Sequence, residues 1–278
     1  MSIITISHEA FGDGRAVAER VAAILGYRCI SREVLVKASQ RYGISEAKLF
    51  EVLEEKPHHW WERWLESRGV YRIALQAAVC ELAQEGNIVY HGRAGQEFFP
   101  GIRHVLNIFL DTPTESRIKQ VMARKGLAEE AARKFLEELD TIRARRIKEL
   151  FKIDWRDPTR YDLVLNTART TVETAAHVIA EVSQREEYRP TPESLQAVKD
   201  LTITARAEAV LIASSRLDIS NLEVETRGGE VHVSGIIVAA GLEQTVADIV
   251  RKIPGVTRVK TYLVVTPSEQ YYLYGDGR

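Results

Sequence analysis

Short, continuous β-rich runs alternate with segments of helical apolar spacing through the first two-thirds of the chain, and this alternation restricts the fold more than any other feature. The runs are Ile3-Ile4-Thr5-Ile6, the extended segment from Gly26 to Ile30, Ile88-Val89-Tyr90, Val105 through Leu110, and Leu163-Val164-Leu165. Those at 88–90 and 105–110 are short, continuous and β-rich, the pattern of strands buried on both faces. Between the runs, Val17, Val21, Ile24 and Leu25 recur at helical spacing, and Val34 and Leu35 form an inner face behind Ser31. A stripe of Ile73, Ala74, Ala77 and Ala78 follows Gly69, and further helices are expected over Thr114–Arg124, Glu129–Leu150 and Thr171–Val182. Strands alternating with helices predict an α/β unit, a parallel sheet with helices on both faces.

The pattern changes at 184–192, a polar stretch holding Pro190 and Pro192. Beyond it, a striped helix is expected from Leu195 to about Ser215. Two strictly alternating strands follow, Leu222–Thr226 and Val231–Gly235, joined by Gly228-Gly229. Tight hairpin turns need positive φ, which glycine supplies. A helix over Leu242–Lys252, the Pro254-Gly255 turn and a strand over Val259–Val265 complete a small α+β unit. The expected domains are therefore 1–185, a linker at 186–194, 195–267, and a tail at 268–278. A chain of 278 residues suits two domains.

Charge narrows the function classes. Lys and Arg number 38 against 39 Asp and Glu, so the basic excess of a dedicated nucleic-acid binder is missing and no nucleic-acid partner is expected. Apolar runs such as Gly235–Leu242 are strand-sized, which argues against integral membrane contact. The first residues lack the pattern of a signal peptide, so a cytoplasmic location is expected. Cys29 and Cys80 form no C-x-x-C pair and read as reduced thiols.

The loop between the first strand and the first helix is where phosphate-binding proteins gather backbone N–H groups and a helix dipole around an anion. A Walker loop reads G-x-x-x-x-G-K-[ST]. Here the glycine positions hold His8 and Asp13, Gly14 stands at the lysine and Arg15 at the hydroxyl residue. Gly12, Gly14 and Arg15 are the candidate phosphate- and nucleotide-binding residues, Arg15 restoring one positive charge and Asp13 opposing an anion; an ordinary strand-to-helix turn is the alternative. Arg143, Arg145, Arg146 and Lys148 lie on one charged helix and suit either a phosphate or a solvated face paired with Glu137 and Glu138. His58 and His59 stand beside Trp60, Trp61 and Trp64. Adjacent histidines on a helix diverge by about 100°, so no metal site is expected. The tryptophans suit a core or a contact between copies of the chain, a homo-oligomer.

From Ile3 to about Ala180 the chain resembles the cytidylate kinase-like family of P-loop nucleoside monophosphate kinases. The likeness is carried by Ile6-Ser7-His8-Glu9 with Gly14-Arg15, by Gly26-Tyr27 through Ser31-Arg32-Glu33, and by His91-Gly92-Arg93-Ala94-Gly95. It continues in Phe99-Pro100 before Val105–Asp111, in Asp140-x-x-Arg143, and in Tyr161-Asp162-Leu163 through Asn166-Thr167. The resemblance implies ATP as donor, with Mg2+, and CMP or a related monophosphate as acceptor. It makes Arg32 and Arg93 acceptor-binding and Arg143 and Arg146 the catalytic arginines of a lid helix. Ala94 stands where cytidylate kinases carry an Asp, and Asp111 is expected to begin the turn Thr112-Pro113. The eroded loop leaves a second expectation, a nucleotide sensor of weak activity. From Leu195 to Thr266 the chain resembles the BON domain, in Val231–Gly235 and Ile253-Pro254-Gly255-Val256. That likeness implies a lipid, small-ligand or protein partner and a regulatory role.

Overall fold

In the computed structural model, which describes residues 2–31, 33–42, 68–214, 217 and 219–266, five of the apolar runs are the strands of one parallel sheet. They are β1 (Ile3–His8), β2 (Arg28–Ile30), β3 (Ile88–Gly92), β4 (Val105–Asp111) and β5 (Leu163–Asn166), in the order β2-β3-β1-β4-β5. β1 is central, pairing Ile3 with Ile88 on one side and with Val105 on the other. Successive side chains of a strand point to opposite faces. Ile3 accordingly joins a core with Ile30, Val34 and Leu75, while Ile4 and Ile6 join another with Val17, Val21 and Ile179. The first core is closed by α2 (Glu33–Tyr42) and α3 (Arg68–Gln84), the second by α1 (Gly14–Leu25) and α6 (Val172–Ser183). α4 (Thr114–Lys125) and α5 (Glu129–Phe151) pair with each other around Ile118, Val121 and Leu136. This is the two-faced α/β sheet that the alternation implied.

Thr191 caps α7 (Pro192–Ala213), accepting from the Ser194 N–H while the Ser194 hydroxyl accepts from the Thr191 N–H, with Pro192 preset for the first turn. A second, three-stranded sheet follows. β6 (Ile219–Arg227) is antiparallel to β7 (Glu230–Ile237), and β8 (Arg258–Val265) runs parallel to β7. Gly228 and Gly229 have φ of 57° and 80°, the pair of positive values expected of that hairpin. α8 (Leu242–Arg251) packs beside α7 on the core of Val231, Val233, Val246 and Val250. β6 begins three residues before the expected Leu222, because a register shift after Ser220 lets the strand extend backwards.

α7 belongs to both cores. Val198, Ala205 and Ala209 pack into the first sheet's core, whereas Ile203, Ala207 and Leu211 pack into the second. Between α7 and α3 lies Glu81, only 5% exposed, which accepts from Arg206 Nε at 2.7 Å and from the Tyr42 hydroxyl at 3.0 Å. No helix among the described residues is long and apolar enough to cross a membrane. Arg32, His58, His59, Trp60, Trp61, Trp64 and the tail at 268–278 lie outside the described residues.

Candidate functional site

A cleft of about 580 Å³ opens at the ends of β1 and β3, the carboxyl edge at which ligands enter open α/β sheets. Four guanidinium groups line it, each from a different element: Arg15 from α1, Arg93 from the turn after β3, Arg124 from α4 and Arg143 from α5. Glu19 and Glu33 line it as well. Planar, always charged forks suit the oxygens of a phosphate better than any other side chain.

The geometry of the loop between β1 and α1 is set by close packing. A Cβ on Gly12 would lie 2.5 Å from Thr112 Oγ1, so the loop can sit against the end of β4 only with glycine there. Gly14 opens α1, and a Cβ on it would come within 2.0 Å of His8 Cγ. Phe11 takes φ of 57°, a left-handed conformation costly for a bulky residue. Its ring is held edge-on to Phe135 of α5 at 5.9 Å, with the Arg124 guanidinium 6.0 Å away. Arg15, the expected loop cation, is 77% exposed and paired with Glu19 at 2.7 Å.

Beneath the loop runs an ion network that the motifs did not reveal. Arg117, 1% exposed, donates from Nε to the Ala10 carbonyl at 2.8 Å and makes a two-pronged contact with Asp140 at 2.8 and 2.6 Å. Arg156 joins Glu9 at 2.9 Å and Asp140 at 3.1 Å, and Glu9 also accepts from the Thr112 N–H. Burial raises the Glu9 carboxyl. Burial acts on Asp140 in the same sense, but Arg117 and Arg156 overcome it and hold that carboxyl below its ordinary value. The sequence signal for Arg117 is a lone cation on the apolar stripe of Ile118 and Val121.

Arg143 and Arg146, expected together, separate. Arg143 lines the cleft, while Arg146 is 8% exposed and buried on α5 beside Ile147. Residues three apart on a helix differ by about 60° in direction, enough here to put one side chain in the cleft and the other in the packing. Ala94, with φ of 52°, is buried among Phe109, Ile147 and Trp155, so the position that carries Asp in cytidylate kinases is apolar in its surroundings as well as in its side chain. Glu97 is engaged by Arg160 at 2.5 and 3.2 Å. Asp111 ends β4, its carboxylate accepting from the Asn166 amide at 2.7 Å.

Two histidines also line the cleft, His8 and His91, with ring centroids 5.8 Å apart. Burial pushes His8 down to about 4 and also lowers His91. Cys29, in the same cleft, is pushed up to about 11 by burial and is held as a thiol. His232, on β7, donates from Nε2 to the Glu230 carboxylate at 2.7 Å and lies on the other sheet. Among the described residues no group of three or more His, Cys, Asp or Glu side chains could hold a metal. The cleft lining carries the four arginines beside Glu19 and Glu33, a donor set of the kind that phosphate oxygens take.

Residues 3–169 match the cytidylate kinase-like family, and residues 199–267 match the BON domain. The cytidylate kinase of Ignicoccus hospitalis is 26% identical over 169 residues, covering 60% of this chain and 91% of that protein. The cytidylate kinases of Methanocaldococcus jannaschii and Methanopyrus kandleri are 31% and 35% identical over 102 and 97 residues, or 36% and 32% of this chain. The chain covers 57% and 50% of the lengths of those two relatives. A crystal structure of an uncharacterized protein from Eubacterium ventriosum shares the fold with a TM-score of 0.51 at 20% identity, over 66% of this chain and 97% of that one.

Proposed function

The chain belongs to the cytidylate kinase-like family through residues 3–169, and from that membership we propose that it transfers a phosphoryl group from ATP to CMP or a related phosphorylated small molecule. The observation that carries this reading is the convergence of Arg15, Arg93, Arg124 and Arg143, from four separate elements, on one cleft at the carboxyl edge of the sheet. Phosphoryl transfer asks a protein mainly for positioning and for neutralisation of charge spread over phosphate oxygens. Arg93, with Arg32, grips the acceptor phosphate, and Arg143 meets the transferring group from the lid helix. Gly12, Gly14 and Arg15 shape the donor side. Arg146, buried on the same helix, stays with Arg143 as the second catalytic candidate. Mg2+ arrives with ATP and supplies charge neutralisation between its phosphates.

A second reading has its own observation, the membership of α7 in two cores: nucleotide bound in the cleft is sensed and passed to the BON domain and its partner. Coupled assays of ADP release against a panel of nucleoside monophosphates and other phosphorylated acceptors, run beside melting curves with the same ligands, separate the two. Acceptor-dependent turnover establishes the kinase. Ligand-raised melting temperature without turnover establishes the sensor, because a ligand bound only by the native state stabilises it. Neither effect with any ligand refutes both.

A further inference from the structure

The space that a Walker loop gives to its lysine is filled here by an imidazole. Gly14 stands at the lysine's position, counted from His8, and it is the first residue of α1. A Cβ built on it would lie 2.0 Å from His8 Cγ, 2.3 Å from Cδ2 and 2.5 Å from Cβ. The direction in which a lysine side chain would leave the helix is thus the direction His8 occupies, arriving from the end of β1. The two positions are complementary: glycine at 14 makes room, and histidine at 8 returns a nitrogen-bearing group to the same place.

The hydrogen bonding sets the ring's chemistry. His8 Nδ1 lies 3.0 Å from the carbonyl oxygen of Glu9. A carbonyl only accepts, so Nδ1 carries the hydrogen and Nε2 is the nitrogen that gains or loses a proton. Building on the phosphate-binding reading of the cleft, we propose that His8 is the phosphate-contacting residue of this loop in the lysine's stead, and that it takes up a proton from solvent at Nε2 as the phosphate docks. Only an N–H bond forms, and the proton comes from water or buffer.

The charges around the ring support this. Burial, together with His91 and Arg93 from the end of β3 and Arg143 from α5, disfavours the imidazolium, with the Glu9 carbonyl acting in the opposite sense. His91 in turn feels Arg15 and Glu19 of α1 and Glu33 of α2, and Arg124 of α4 lines the same cleft. Without an anion His8 is neutral at physiological pH. A phosphate dianion among these cations reverses the balance, since an opposite charge nearby favours the charged form. A lysine would be charged throughout; this loop becomes charged only with its ligand.

Calorimetric titration of the full chain with ATP, in buffers of different ionisation enthalpy between about pH 6 and 7.5, reads the proton directly. The wild type should take up protons that His8→Asn does not, since Asn keeps a donor for the Glu9 carbonyl but cannot titrate. His91→Asn should retain the uptake. The wild type's affinity should fall more steeply with rising pH than that of His8→Asn, approaching about tenfold per pH unit. Should His8→Asn fail to fold, NMR of labelled histidine in the wild type gives the same answer, with ATP converting His8 to imidazolium. Proton uptake unchanged in His8→Asn, uptake lost in His91→Asn instead, or a His8 signal that stays neutral with ATP bound would overturn the proposal while leaving the phosphate-binding reading intact. No ATP binding by the wild type at any pH would remove that reading and this proposal with it.

Discussion

Arg93 leaves β3 into the cleft while Glu97, four residues on, is occupied by Arg160. If Arg93 grips an acceptor phosphate, Arg93→Ala should weaken monophosphate binding by about 1.5–3 kcal/mol, the scale of a charge-assisted hydrogen bond. Arg93→Lys should lose part of that, because an ammonium keeps the charge and not the fork. Titration calorimetry with CMP beside melting curves decides: lower melting temperature with unchanged affinity would make Arg93 structural. Three of the expected arginines, Arg15, Arg93 and Arg143, do meet in one cleft, and motif order was enough to nominate them. Arg124 and His91 were not nominated. Their part depends on where α4 and β3 end relative to α1, which no local spacing encodes. Arg146 looked equivalent to Arg143 because charge patterning counts residues without knowing how deeply the helix is sunk.

α5 shows how an element is held over a site. Its apolar positions Ala132, Leu136, Leu139 and Ile147 are buried, and Asp140 adds a tie to the loop between β1 and α1. Arg117 ties that carboxylate to the Ala10 carbonyl and so joins the helix to that loop. Asp140→Asn should therefore lower the melting temperature at neutral pH. The sign of its pH dependence follows from the lowered carboxyl. A carboxyl titrating lower in the folded than in the unfolded state contributes stability that is complete above the unfolded value of about 3.9 and fades as pH falls through the folded one. The gap between wild type and Asp140→Asn should close as the pH is taken below about 4. A gap independent of pH in thermal melts would contradict the ion network as its source. Glu9 carries the opposite shift, so it gains its proton earlier on acidification while Asp140 keeps its charge.

α7 makes the two sheets one folding problem. A chain ending before Pro192 would lose Val198, Ala205 and Ala209 from the first core and Arg206 from Glu81. It should melt below the intact protein, and an equal melting temperature for that fragment would show the first core to be independent of α7. Arg206→Met tests the same seam more finely. Arg206 is the nearest of three cations on the buried Glu81 carboxylate, at 2.7 Å against 3.8 Å for Lys37 and 3.9 Å for Arg41, so its loss should lower stability in chemical denaturation by less than the about 3–5 kcal/mol of a buried charge left wholly unpaired. The strand runs, the helical stripes and the Gly228-Gly229 turn were legible in the chain because each is a local periodicity or a local backbone demand. The family likeness was legible because motif order survives without geometry. The dual membership of α7 was not, since one helix with apolar residues on two flanks reads the same whether those flanks meet one core or two. Nor was the packing of His8 over Gly14, where a Cβ on the glycine would fall 2.0 Å from the imidazole Cγ, because it depends on how the end of a strand meets the start of the helix after it. Periodicity and turn chemistry act between neighbours in sequence and so are written there; burial, ion pairing and close approach act between groups that only folding brings together.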